Sequence, residues 1–171
     1  MRKWKVLVGL TLGVLVLDQI TKWLVMVNFR LHETRPIIEG YFNLTYIRNT
    51  GAAFGIFANA DPAFRVPFFL IIPLAALAVI ALVFRRLPPE NVGVASALSL
   101  VIGGAVGNLI DRVRFGSVVD FLDFHWQYVK HFPAFNVADM AICVGVGILM
   151  VDLLFNKEHT ESKEAHVSNF I

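Results

Sequence analysis

Val66–Phe84 and Val92–Ile110 are each 19 consecutive residues without a charged side chain. A helix rises 1.5 Å per residue, so either run nearly crosses the roughly 30 Å of bilayer hydrocarbon. Two further apolar stretches are interrupted, Val6–Val27 by Asp18 and Lys22, and Asn136–Phe155 by Asp139 and Asp152. Together they predict four spans, at about 6–27, 66–84, 92–110 and 136–155, within one domain of residues 1–171. Charged residues make up 16% of the chain, against about 25% in an ordinary soluble domain. No polar stretch is long enough to build a soluble catalytic domain beside an anchor. The fold class is therefore an all-α polytopic membrane protein, a four-helix bundle.

Arg2, Lys3 and Lys5 crowd the short N-tail, and Arg85 and Arg86 the short connection between the second and third spans. The positive-inside rule then places both termini in the cytoplasm. The first span imitates a signal peptide, but Leu15-Val16-Leu17-Asp18 lacks the small residues of a cleavage site, so it reads as a retained helix. In the outer loop, about 28–65, Tyr41–Ile47 alternates large and polar residues as a strand does, and Asn49-Thr50-Gly51 offers a turn. Phe54, Ile56 and Phe57 suggest a second strand or a surface dipping into the interface. The loop is thus read as a small strand-containing subdomain on the outer face. The second outer region, about 111–135, is rich in aromatics suited to the headgroup layer, and the polar tail, 156–171, is expected to fray.

A net charge of +2 without basic clusters excludes nucleic acid as a partner. One cysteine, Cys143, supports neither a disulfide nor a thiolate metal site and reads as a small buried apolar residue. There is no G-x-S-x-G elbow, and His32-Glu33 lacks the second histidine of a zinc-protease helix. His125 and His131, flanked by aromatics, suit the interface better than ligation. Asn43-Leu44-Thr45 is a glycosylation sequon only in a eukaryotic secretory setting. Ala95, Ser99, Gly103 and Gly107, spaced by four, predict a close helix-packing seam.

Ionisable groups in or beside the hydrocarbon are costly and mark function by default; here they are Asp18, Lys22, Asp111, Asp120 and Asp139. Asp18 and Lys22, four apart, share a helix face and can pair. Asn108, Asp111 and Arg112 share a face where the third span ends, and Asn136 and Asp139 share the first turn of the fourth. Asp139 there also suits simple helix capping. Two carboxyls held close share one proton: the charged one activates water and the protonated one donates to a carbonyl, which is the logic of aspartic proteolysis. Spacing alone does not bring Asp120 to Asp139. A proton-coupled transporter using Asp18, Lys22 and Asp139, or a structural subunit whose aspartates pair with basic residues, stays open at this point.

Five blocks, in order along nearly the whole chain, resemble the bacterial lipoprotein signal peptidases (signal peptidase II). They are Leu17-Asp18-Gln19-Ile20-Thr21-Lys22, Arg48-Asn49-Thr50-Gly51-Ala52-Ala53-Phe54, the block from Gly103 to Arg112, Val118-Val119-Asp120-Phe121, and the block from Phe132 to Asp139. The resemblance implies an intramembrane aspartic endopeptidase with Asp120 and Asp139 as the catalytic pair. Asn49, Asn108, Arg112 and Asn136 would line the site, with Asp18, Lys22 and Asp111 bracing it. Its substrates would be prolipoproteins carrying diacylglycerol on the cysteine after the signal peptide, cut just before that cysteine. It would act as a monomer among the lipids of the inner membrane, with its site near the outer face and without a cofactor.

Overall fold

The computed structural model describes residues 2–51, 57, 60–127 and 129–168, with residues 130–131 and 156–168 as backbone only. In chain order the elements are α1 (Arg2–Asn28), β1 (Thr34–Ile38), β2 (Phe42–Asn49), α2 (Pro62–Arg86), α3 (Val92–Phe115), β3 (Val118–Trp126), β4 (Lys130–His131) and α4 (Val137–Ser168). All four helices are long and apolar enough to span a bilayer. They expose large aliphatic side chains such as Val16, Ile71, Leu82 and Leu153, an arrangement that suits lipid and not water. The chain is a four-span membrane protein with a small sheet joined to one end of the bundle.

α3 is the central helix. Its small residues lie buried, and the seam works in two directions: Gly103 and Gly107 face α1, at Val14 and Asp18, while Gly104 faces Ala138 and Ile142 of α4. A Cβ on Gly107 would lie 2.6 Å from Asp18 Oδ2, so this position requires the bare backbone. α2 is peripheral. Its C-terminal carbonyls are held by Lys3, whose Nζ donates to the carbonyl oxygens of Phe84 and Arg85 at 3.1 and 3.2 Å and also to that of Leu87. The buried Lys3 is therefore a helix cap as well as a basic residue of the N-tail.

α3 ends at Gly116 in the left-handed conformation (φ 68°), which turns the chain directly into β3. The sheet order is β1-β2-β3-β4, all antiparallel. The strand expected at Tyr41–Ile47 is present as β2. β1 and β3 were not anticipated. The reading of Phe54 and Ile56 lies outside the described residues, as do Tyr128 and the Ala52-Ala53-Phe54 part of the second block.

Alternation along β3 is what positions the chemistry. Val119 and Phe121 turn into a core with Val25 and Tyr46, so Val118 and Asp120 turn the opposite way. Past residue 156, where the tail was expected to begin, the α4 backbone continues as helix to Ser168, through a run that carries the helix formers Lys and Glu. His125, expected at the interface, is buried beside Asn43 and Asp123, where β2 and β3 pair.

Candidate active site

A cavity of about 680 Å³ opens where the sheet meets α3 and α4. Asp120, Asp139, Asn49, Asn108 and Arg112 line it, with Phe132, Phe135, Met140 and Ile142 as apolar wall. Asp120 comes from β3, and Asn49 from the end of β2, where the register sets Ile47 opposite Asp120. Asp139 comes from the first turn of α4. With Asn108 and Arg112 from α3, four elements converge on one cavity.

Asn136 ties the two carboxyls together. Its Nδ2 donates to Asp120 Oδ1 at 2.7 Å, while its backbone N–H donates to Asp139 Oδ2 at 3.2 Å. Its own Oδ1 accepts from the Asp139 N–H at 3.0 Å. This reciprocal pair is a capping box, so the capping anticipated for Asp139 is real and coexists with its place on the cavity wall. The remaining oxygens are also held: Asp120 Oδ2 accepts from Asn49 Nδ2 at 3.1 Å, and Asp139 Oδ1 from Asn108 Nδ2 at 2.7 Å. Among the described residues no ion pair involves either aspartate. That removes the expectation attached to a structural subunit, in which each would pair with a base.

Burial raises the Asp120 carboxyl from 3.8 to about 7, and the charge of Asp139 pushes the same way. The amides of Asn49 and Asn136 pull against this shift without cancelling it. Asp120 is thus poised to hold or release a proton near neutrality.

Behind the cavity lies a second polar cluster. Lys22 Nζ is 2.9 Å from Asp18 Oδ2, 2.9 Å from Asp111 Oδ2 and 2.9 Å from Asn108 Oδ1. Asp18 Oδ1 accepts the Ala138 N–H at 3.0 Å, and Asp111 Oδ2 accepts the Val119 N–H at 3.1 Å. The cluster therefore fixes the helix turn that carries Asp139 and the strand that carries Asp120. The predicted pairing of Asp18 with Lys22 is present, but as part of this larger cluster. Asn136 is fully buried and holds both aspartates from behind; it does not line the cavity wall. Arg112 does, donating to the Gly51 carbonyl at 3.3 Å with its guanidinium 5.2 Å from the Phe69 ring.

Two features escaped the sequence reading. Gln19, whose Nε2 bonds Asp18, Asp111 and the Gly107 carbonyl, joins α1 to α3. Its position beside Asp18 was the available signal. Cys143, read as buried, is exposed and lines the cavity, because four residues beyond Asp139 the helix presents the same face.

The family model described as Signal peptidase (SPase) II matches residues 10–155. The chain belongs to the signal peptidase II family. A lipoprotein signal peptidase of Syntrophotalea carbinolica is 52% identical over 149 residues, 87% of this chain and 91% of that protein. One from Geobacter sulfurreducens is 50% identical over 151 residues, 88% and 92% of the two chains. A solved structure of a bacterial membrane enzyme superposes with a TM-score of 0.80 at 32% identity, covering 90% of each chain. A second superposes at 0.76 and 30%, covering 86% of this chain and 92% of the other. As a signal peptidase II, the chain is an intramembrane aspartic endopeptidase that removes signal peptides from prolipoproteins, and a multi-pass protein of the bacterial inner membrane.

Proposed function

We propose that Asp120 and Asp139 are the catalytic pair of this peptidase, and that the scissile bond lies just before a diacylglyceryl-modified cysteine. The observation that carries the assignment is the Asn136 bridge: one residue bonds both carboxyls at the wall of a largely apolar cavity, with no cation among the described residues ion-paired to either. Asp120, pushed up to about 7, holds the shared proton. Asp139, whose oxygens both accept N–H bonds, takes a proton from water. The hydroxyl formed attacks the peptide carbonyl carbon while Asp120 protonates the carbonyl oxygen. Collapse of the tetrahedral diol breaks the C–N bond; Asp139 returns its proton to the departing nitrogen and Asp120 recovers its own. Asn49 and Asn108 hold the pair and Arg112 offers donors to the substrate backbone, while Phe132, Phe135, Met140 and Ile142 form the apolar wall beside it.

In this reading both termini are cytoplasmic and the sheet and cavity face outward, supported by Arg2, Lys5, Arg85 and Arg86 at the opposite end of the bundle. A monomer suffices, since one chain supplies every proposed site residue. The test is cleavage of a diacylglyceryl-modified precursor by purified Asp120→Asn and Asp139→Asn. Each variant is expected to remain folded by thermal melting and to lose at least about 10³-fold in rate. A folded variant cutting at the wild-type rate refutes the assignment.

A further inference from the structure

We infer that Lys22 is a positioning residue that sets the polarity of the Asn108 amide, so that it turns N–H and not C=O toward the catalytic Asp139. The inference rests on the proposed catalytic pair. An asparagine amide is nearly symmetric in shape, and packing alone does not decide which end faces a carboxylate. Here the choice is made at one atom. Asn108 Oδ1 accepts from Lys22 Nζ at 2.9 Å and from Asn136 Nδ2 at 3.2 Å, which leaves Asn108 Nδ2 for Asp139 Oδ1 at 2.7 Å. Turning the Asn108 amide over would set its NH₂ against the ammonium and its oxygen against the Asp139 carboxylate. Asn136 is oriented separately by the backbone, its Oδ1 accepting the Asp139 N–H and its Nδ2 reaching the Val119 carbonyl, and the same Nδ2 bonds Asp120 Oδ1 and Asn108 Oδ1.

The ammonium has no freedom to do otherwise. An ammonium carries three N–H bonds, and three acceptors surround it: Asp18 Oδ2, Asp111 Oδ2 and Asn108 Oδ1. Lys22 is 1% exposed, so water does not compete. Stability alone gives no reason for a charge at this depth, because a buried ion cluster is commonly no more stable than an apolar one of the same volume. What an apolar side chain cannot do is tell the two ends of an amide apart.

The decisive variant is Lys22→Met combined with Asp18→Asn. The pair removes one charge of each sign, and the new asparagine keeps a carbonyl for the Ala138 N–H. In the purified enzyme with a diacylglyceryl-modified precursor, kcat is expected to fall roughly 10²-fold with KM within about twofold, since the groove is untouched while the acid–base pair is misaligned. A folded double variant with wild-type kcat, or one whose kcat and KM fail together, overturns the inference. If the double variant does not accumulate, Asn108→Asp decides: it keeps an acceptor for Lys22 and imposes an oxygen on Asp139. The same loss of kcat at constant KM is expected, and wild-type kcat overturns the inference. Asp120→Asn run alongside separates the two levels. Activity in that variant overturns the catalytic pair itself, whereas its loss beside an active Lys22 double variant overturns only the role of Lys22.

Discussion

Replacing Asp120 by asparagine should abolish activity and, above neutrality, make the protein more stable. Asp120 is 3% exposed, and its carboxyl rises from 3.8 to about 7 through burial and the charge of Asp139. The folded state then binds this proton more tightly than the unfolded chain does. Its contribution to stability is full below about pH 4 and is lost as pH rises through about 7. The interval from 3.8 to about 7, at about 1.4 kcal/mol per pKa unit, makes the ionised carboxylate cost about 4 kcal/mol at about pH 8. Asparagine carries no such cost. It does turn an NH₂ toward one of the two amide donors, Asn49 or Asn136, which forfeits about 1–2 kcal/mol. The variant should therefore be more stable than wild type by about 2–3 kcal/mol at about pH 8, and less stable by about 1–2 kcal/mol at about pH 4. Thermal unfolding of both proteins in the same detergent, followed by tryptophan fluorescence, should show the difference in midpoint changing sign by several degrees. A difference that is the same at both pH values refutes the argument.

Other expectations are more direct. Cleavage should decline as pH rises through about 7, because the role proposed for Asp120 needs its proton; initial rates that climb steadily to about pH 9 would contradict this. Gly107→Ala places a methyl group against the Asp18 carboxylate and should lower stability by about 1–3 kcal/mol, read as a lower melting temperature. Lys3→Met uncaps α2 and should cost about 1–3 kcal/mol while the folded fraction cleaves at the wild-type rate, measured as turnover per folded molecule.

The spans were legible because the bilayer imposes one length and one chemistry on them. The capping box was legible too, since Asn136 and Asp139 are three apart at the start of a helix. β3 was harder. Val118–Trp126 holds the branched and aromatic residues of a strand, yet with Asp120 and Asp123 among them its apolar positions follow no clean alternation. Asp120 itself fits the alternation between Val119 and Phe121; Val118 blurs it, an apolar residue that shares the cavity face with Asp120. The bonds from Asp18 to Ala138 and from Lys22 to Asn108 join residues 120 and 86 positions apart, and no local periodicity encodes them. Lys3 showed the opposite ambiguity. A basic residue near the start of a span reads as a topology signal, and only the arrival of the α2 carbonyls gives it a second task.

The Asp18–Ala138 bond also bears on how the protein is made. α1 leaves the ribosome first and α4 last, so Asp18 enters the bilayer long before the N–H it will hold exists. Lys22, one turn away, accompanies it and lets the nascent helix insert as a neutral pair. Until α4 is threaded, Asp120 has neither Asn136 nor Asp139 beside it. On the proposed catalytic pairing, the active site is completed only when α4 inserts, so a chain stalled before that step lacks half of the acid–base pair.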